Sequence, residues 1–530
     1  MRRALAFVVV LGATVAGCKC GKDAVTRASG VERVLPAGGN AYVIVPSVEK
    51  LGQRLTLVEN LKVATFAVQA ANFETAKGYV DAMVAELGID PRSREQLEQI
   101  GIDPSGSAGV AIMDGEGSLM VALPIKHEGR IAAFIRTLSA NRLGASMVED
   151  KVQNGVTVHH LVGAVGTRLA WASSNGYALI APMASVEQLG GWASRAEADT
   201  LARDTSLPAS LARLPAERDA LVYVPPATKA TLVAPVSHVV IALSLQPDAF
   251  TLTADAPWSG SKEALSLFTA QPAAPLVGLL PADAFFVARF GGDAKELAPL
   301  LLPLLGENLE RAFGEGGFDL TAALEQVAPG AVLGLSLAPT VQMGQGMPDL
   351  DPRRTNPFSF VHLTGVAPAK SEAAVAPALE KLAAVAPRFG AQMTLKDGVY
   401  VTTYAQGEGV HFAAKGGQVV FGSPLPRVKA MAQGDDAGGG PVQAYRDVLE
   451  ATPLAVVADL KALSDAVRAL PSSAWGIGGF AIKATTVRWL DNSDDLKAVT
   501  VNVGTKGGAV QAKVQLKLAP QAPSGADAGR

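Results

Sequence analysis

Apolar and polar positions along the chain change rhythm several times. After Leu35-Pro36-Ala37, the run Ala41 to Val45 is nearly all apolar and predicts a buried strand. From Val48 to Leu87 the apolar residues recur at three and four spacing (Leu51, Leu55, Val58, Leu61, Phe66), which predicts a helical region. Short strands are then expected at Ala108 to Met113 and Leu119 to Leu123, with a helix from Arg130 to Leu138. Four strands follow in a row, at Ser146 to Glu149, Val156 to Leu161, Thr167 to Ala172 and Tyr177 to Ala181. Val236 to Leu245 and Ala249 to Ala256 flank the turn sequence Gln246-Pro247-Asp248.

The second half repeats this rhythm. A strand is expected at Ala284 to Phe290, then a shorter helical region at Leu297 to Phe313. Asp397-Gly398 and Gly416-Gly417 separate β-rich runs as hairpin turns do. Val399, Val401 and Thr403 alternate with Tyr400, Thr402 and Tyr404, which predicts a strand covered on one face. Ala481 to Leu490, Leu496 to Val503 and Ala509 to Leu518 read as a closing meander.

Six blocks occur in the same order in both halves, with a period of about 245 residues set by Leu35 and Leu280. LPAGGNAYVIV parallels LPADAFFVARF, and LEQIGIDPSGSAGVAIM at Leu97 parallels LEQVAPGAVLGLSL at Leu324. The expected fold class is therefore α+β. It comprises two tandem homologous units, 31–270 and 276–518, each a mainly antiparallel β-sheet with packed helices. Ala338 to Pro357 is an insertion confined to the second unit, Gly434 to Pro441 a flexible link, and 519–530 a disordered tail.

The first 20 residues differ from the rest. Arg2 and Arg3 precede an uncharged apolar stretch, Ala4 to Ala16, too short to span a bilayer and of signal-peptide length. Small residues lead to a cysteine in Val15-Ala16-Gly17-Cys18. This ending resembles the lipobox of bacterial lipoprotein precursors. The resemblance implies a signal peptide over 1–17, cleavage between Gly17 and Cys18, and a diacylglycerol thioether on Cys18, with 18–30 as lipidated tether. Each buried methylene adds about 0.8 kcal/mol, so two or three acyl chains hold where one would not. By analogy with enterobacterial lipoproteins, Lys19 favours the outer membrane. The body resembles large secreted bacterial proteins known only as a domain of unknown function, through the Leu-Pro-Ala opening and repeated strand and helix blocks. That resemblance carries no activity to any residue.

Composition sharpens this picture by exclusion. The 530 residues are 49% hydrophobic and 18% charged, enough apolar content for packed cores. The net charge is −3, more acidic by two once Arg2 and Arg3 leave with the signal, so no nucleic-acid partner is expected. No later segment has the apolar length of a membrane span. Of two cysteines, Cys18 is assigned to lipid, and Cys20 is a bystander in the tether.

Candidate chemistry is sparse. The six histidines are His127, His159, His160, His238, His362 and His411, without His-Glu-x-x-His or helical i, i+4 pairing. His159 and His160 are adjacent on an expected strand and point to opposite faces. All are read as sheet-surface or satisfied polar sites. Ser105 to Gly109 lacks the first glycine of a nucleophile elbow. Ser-x-x-Lys at Ser47 and Ser259 lacks its companion motifs and is read as two helix N-caps. Gly314 to Gly317 and Gly476 to Gly479 match no phosphate loop, Asp349 to Asp351 is too short for a calcium loop, and Asp494 and Asp495 read as turn residues. No catalytic residue, metal or cofactor is assigned.

These readings point to a non-catalytic binding or scaffold protein of the cell envelope, outer-membrane-anchored through its lipid, with an envelope protein partner or hydrophobic ligand. Val63, Ala64, Phe66, Ala67, Val68 and Ala71 read as core packing or as a groove lining. A carrier of lipid or another hydrophobic molecule is the alternative, and it calls for a large apolar cavity. An envelope hydrolase is a third, requiring His159, His160 or His411 to converge with carboxylates.

Overall fold

In the computed structural model, the described residues run from Gly30 to Ala519, except 70–72, 114–118, 144–146, 163–167, 183, 227–234, 270–275, 299–306, 339–359, 406, 435–440, 476–478 and 492. Contacts divide them into two compact units. One is built from residues up to Ser259 with Lys506–Gln511, the other from Gly260–Thr505 with Ala512–Ala519. Both mix helices with antiparallel sheet.

The strands of the first unit are β1 (Ala41–Val45), β2 (Ala108–Ile112), β3 (Leu119–Pro124), β4 (Met147–Gln153), β5 (Val156–Val162), β6 (Arg168–Ser174), β7 (Tyr177–Pro182), β8 (Ala220–Val224), β9 (Val239–Gln246) and β10 (Ala249–Pro257). They pair in the order β4-β5-β6-β7-β3-β2-β1-β8-β9-β10, every pair antiparallel. Asn154-Gly155 and Asn175-Gly176, all at positive φ, close the β4–β5 and β6–β7 hairpins.

Helices cover both faces of the β4–β7 part. Glu128–Leu143 packs Ile131 and Ile135 with Leu161 and Trp171. Val186–Ala193, capped by Ser185, packs Val186, Leu189 and Trp192 with Val158, Ala170 and Ala172 on the other face. The period of two on β5 therefore sends His159 and His160 to different layers, as expected.

The second unit holds β11 (Phe286–Phe290), β12 (Ala331–Leu337), β13 (Val361–Pro368), β14 (Ala391–Lys396), β15 (Val399–Tyr404), β16 (Gly407–Glu408), β17 (His411–Lys415), β18 (Gln418–Gly422), β19 (Leu454–Asp459) and β20 (Leu496–Lys506); β21 (Ala509–Leu518) ends the described chain. The pairing order is β14-β15-β17-β18-β13-β12-β11-β19-β20, again antiparallel. Read from its β4 counterpart, this is the order of the first unit, with β16 as an added bridge to β15. Asp397-Gly398 and Gly416-Gly417 sit at hairpin turns, at positive φ.

Four local readings change. The helical region after Val48 is three helices, Val48–Glu59, Ala64–Gln69 and Ala76–Leu87; Asn60 closes the first and Thr75 caps the last. Ala481 to Leu490 is not a strand but part of the helix Gly479–Asp491. Its β-branched residues favour a strand locally, yet Leu490 packs into a cluster with Trp475 and Leu470, and packing overrides propensity. Ser47 caps its helix, Oγ accepting from the Lys50 N–H, whereas Ser259 precedes the helix Lys262–Leu265 by too many residues to cap it. The alternation on β15 breaks: Val399 and Thr402 are buried, not Val401 and Thr403. The cause is its neighbour. Val399 and Tyr400 pair with β17, Thr403 and Tyr404 with β16, and the backbone between them loops past Thr402.

Candidate functional site

That loop leads to a row of polar side chains on one face of the second unit's sheet. Ser336 on β12 lies opposite His362 on β13, and Gly334 opposite Thr364. Thr364 lies opposite Gly422 on β18, and Gly422 opposite His411 on β17. Residues opposite one another in antiparallel strands share a face, so Ser336, His362, Thr364 and His411 line the same side. Ser336, Thr364 and His411 have no exposed surface. Gly422 is required by close approach, since a Cβ there would stand 2.2 Å from the Leu363 carbonyl oxygen.

One end of the row is closed by charge. Arg427, on the helix Leu425–Gln433, reaches both oxygens of Asp283 and donates to Ser336 Oγ at 3.1 Å. Ser336 in turn donates to Asp283 at 2.9 Å. Burial pushes the Asp283 carboxyl up, but the Arg427 guanidinium outweighs it and holds the carboxyl below its usual range. Burial, and then the charge of Arg427, lower the His362 pKa. His362 Nδ1 is buried without a hydrogen-bond partner.

At the other end stands His411. The Thr402 N–H donates to its Nδ1 at 3.0 Å. That bond uses the ring's lone pair, so the proton of the neutral imidazole sits on Nε2. Nε2 is buried and makes no hydrogen bond; Glu408 Oε2 stands 3.6 Å away. Burial lowers the His411 pKa, and Glu408 opposes the shift. With its lone pair engaged, His411 is a poor general base and a ready donor. The same Glu408 oxygen accepts from the Leu425 N–H at 3.3 Å, at the start of the helix Leu425–Gln433. The reading of these histidines as surface or satisfied sites is thus corrected for His362 and His411. The irregular backbone between β16 and β17, opposite Thr402, which no sequence period announces, buries His411 beside a missing partner.

The first unit holds a different polar group, and there the pairing is fuller. Ser210 Oγ lies 3.0 Å from His238 Nε2, and Ser237 Oγ 2.9 Å from His238 Nδ1. Arg213 grips both oxygens of the buried Asp255 and reaches Ser210 Oγ at 3.1 Å. Burial pushes the Asp255 carboxyl up, but the hydrogen bonds from Arg213 and Ser210 outweigh it and hold the carboxyl low. Tyr223 Oη donates to Asp204, and its ring meets His238 edge-on. Ser210 and His238 have the spacing of a nucleophile and its base. Ser210 is fully buried, however, and no carboxylate orients His238, because Asp255 is committed to Arg213. This is a core knot. Sequence spacing could not show it, since Ser210 and His238 meet only when β9 passes the helix Ser206–Leu211.

The remaining expected residues are dispersed. His159 Nδ1 is 2.6 Å from Asp150, and its ring stacks on Trp171 with centroids 4.9 Å apart. Both ring nitrogens of His160 are buried and unpartnered, a further departure from a satisfied site. His159 and His411 each meet one carboxylate, in different units. Among the described residues, no group of three His, Cys, Asp or Glu side chains is placed to hold a metal ion. An open cleft of about 390 Å³ lies beside Phe313, Phe318 and Leu320, shallow rather than enclosing. No described helix is long and apolar enough to cross a membrane. Gly17, Cys18 and Cys20, most of the insertion from Ala338 and the tail after Ala519 fall outside the described residues.

No family model and no curated protein matches the chain. Among solved structures, crystal form I of TP0453 aligns over 44% of this chain and 79% of its own, at 9% identity and a TM-score of 0.24. Crystal form III of TP0453 aligns over 44% and 80%, at 11% identity and the same TM-score. A likeness of this size carries no argument about fold or function.

Proposed function

We propose that the chain is a lipid-anchored protein of the bacterial cell envelope, tethered to the outer membrane through Cys18. Its body consists of two tandem homologous units and acts in binding or scaffolding, not catalysis. The repeated sequence blocks and the common pairing order support the duplication. The charge, apolar run and small-residue ending before Cys18 support the anchor.

The observation that carries the binding role is the row beneath the helix Leu425–Gln433. A buried polar atom left without a partner costs about 1–3 kcal/mol. A pure core gains nothing from His411 Nε2 and His362 Nδ1, whereas a ligand or partner group supplies what they lack.

The anchor is tested in a bacterial host by labelling with an alkyne fatty acid. The wild-type chain takes the label and sediments with outer membranes; Cys18→Ala takes none. Equal labelling of both, or a wild-type chain free in the periplasm, overturns the anchor.

A further inference from the structure

We infer that the niche between His411 and the first turn of the helix Leu425–Gln433 is a carboxylate-binding site, held in this structure by the chain's own Glu408. The inference rests on the binding role proposed above and names its ligand chemistry.

Two donors converge there on one oxygen. The Leu425 N–H lies at the positive end of a nine-residue helix whose N-cap, Pro424, contributes no side-chain hydrogen bond. The His411 Nε2–H is the second donor, fixed in that tautomer by the Thr402 N–H at Nδ1. Both aim at Glu408 Oε2 and neither is well served. The Leu425 bond is long at 3.3 Å, and His411 stays 3.6 Å away with no hydrogen bond. His411 itself is fully buried, so its orientation is set by the fold and not by Glu408.

Glu408 is the movable part. It sits on the two-residue strand β16, and its side chain is 47% exposed. It can swing into solvent while the donors stay in place. An external carboxylate oxygen then takes the same two bonds at ordinary length. A phosphate dianion fits less well, because the displaced Glu408 carboxylate stays nearby and the niche offers two neutral donors.

The test uses the full chain in detergent and hydrogen exchange read by mass spectrometry. Wild type, Glu408→Gln and Glu408→Ala are compared in sodium acetate, N-acetylglycine, sodium phosphate and sodium chloride of matched ionic strength. Because Glu408 is half exposed, both variants retain the fold, which thermal melting checks. Acetate is expected to slow exchange in the peptide containing Leu425, at about tenfold lower concentration once Glu408 is replaced. An advantage of N-acetylglycine over acetate identifies a peptide C-terminus as the source, and equality a free acid; both support the site. No acetate effect in any of the three chains overturns it, as does phosphate acting as strongly as acetate. Such a failure leaves the result for Cys18 unaffected.

Discussion

The two units solve the same sheet differently at matched positions. On β3 and β7 of the first unit, Pro124 faces Tyr177; on β13 and β18 of the second, Pro368 faces Gln418. Counting four residues from each pair aligns Met120 with Thr364 and Ala181 with Gly422. The facing residues extend the match: Ala111 with Gly334, and Ala170 with His411. Met120, Ala181, Ala111 and Ala170 are all fully buried and belong to the largest apolar core of the first unit. Of their counterparts, Thr364 and His411 belong to the polar row and the other two are glycines. Burying a hydroxyl or imidazole costs stability unless it is paired. In the first unit the matched positions themselves are apolar, although His160 on β5 stands opposite Ala170 with both ring nitrogens unpartnered. A separate polar group, Ser210, His238, Arg213 and Asp255, is mutually bonded. In the second unit an orphaned donor, His411 Nε2, lies at a matched position itself. The lesson is that one pairing scheme accommodates either apolar or polar side chains at matched positions.

Breaking a paired group should cost most. Replacing Arg213 by Met leaves Asp255 buried and charged without its counterion, and is expected to destabilise the first unit by about 3–5 kcal/mol in urea unfolding. A loss below about 1 kcal/mol would show that the knot is not a structural unit.

Importing the second unit's solution into the first should cost nearly as much. Ala170→His overfills a close-packed alanine layer and buries an imidazole with no prepared partner, for an expected loss of about 2–5 kcal/mol. Tolerance of this change would mean that the apolar layer is not exclusive.

A pH effect should come next. Asp219 precedes β8; one oxygen accepts from the Leu245 N–H at 2.6 Å and the other is buried without a partner. Lys50 and Arg54 on the helix Val48–Glu59 lower its pKa and Glu217 raises it, but burial dominates and pushes it from 3.8 up to about 7. The folded state holds this proton more tightly than the unfolded chain. The stabilisation is therefore complete below about 4 and lost as pH rises through about 7. Asp219→Asn keeps an acceptor for Leu245 and removes the charge. It should melt higher than wild type at pH 8 and close to wild type at pH 4. Equal melting curves at both pH values would place the carboxyl in solvent.

The smallest change is expected in the row. His411→Ala removes the acceptor of the Thr402 N–H but also relieves an orphaned Nε2, for a net loss of about 1–3 kcal/mol by the same unfolding assay. A loss as large as that of Arg213→Met would make His411 a structural keystone and weaken its reading as a donor to ligand.

Much of the fold was legible because local chemistry repeats. Asp397-Gly398 and Gly416-Gly417 mark hairpins, Ser47 marks a helix start, and the apolar runs Ala108 to Met113 and Ala249 to Ala256 mark strands. Legibility failed where packing outvoted propensity, as in the helix Gly479–Asp491, and where an irregular neighbouring backbone changed which side chains are covered, as between β16 and β17. The candidate site was legible only as isolated histidines. His411 and His362 lie on strands joined through β18, and Ser336 enters from β12; no spacing along the chain encodes that meeting. Arg427 and Asp283, far apart in sequence, close the row for the same reason.

By itself the sequence determined the mixed helix and strand content, the hairpin turns and the opposite faces of His159 and His160, because turn residues and side-chain periods act over a few bonds. It also carries the pattern ending at Cys18. Tertiary structure alone decided which polar groups would be paired and which left waiting. That choice depends on strand register, on the loop past Thr402 and on the approach of a helix to a sheet, all set by the packing of distant segments.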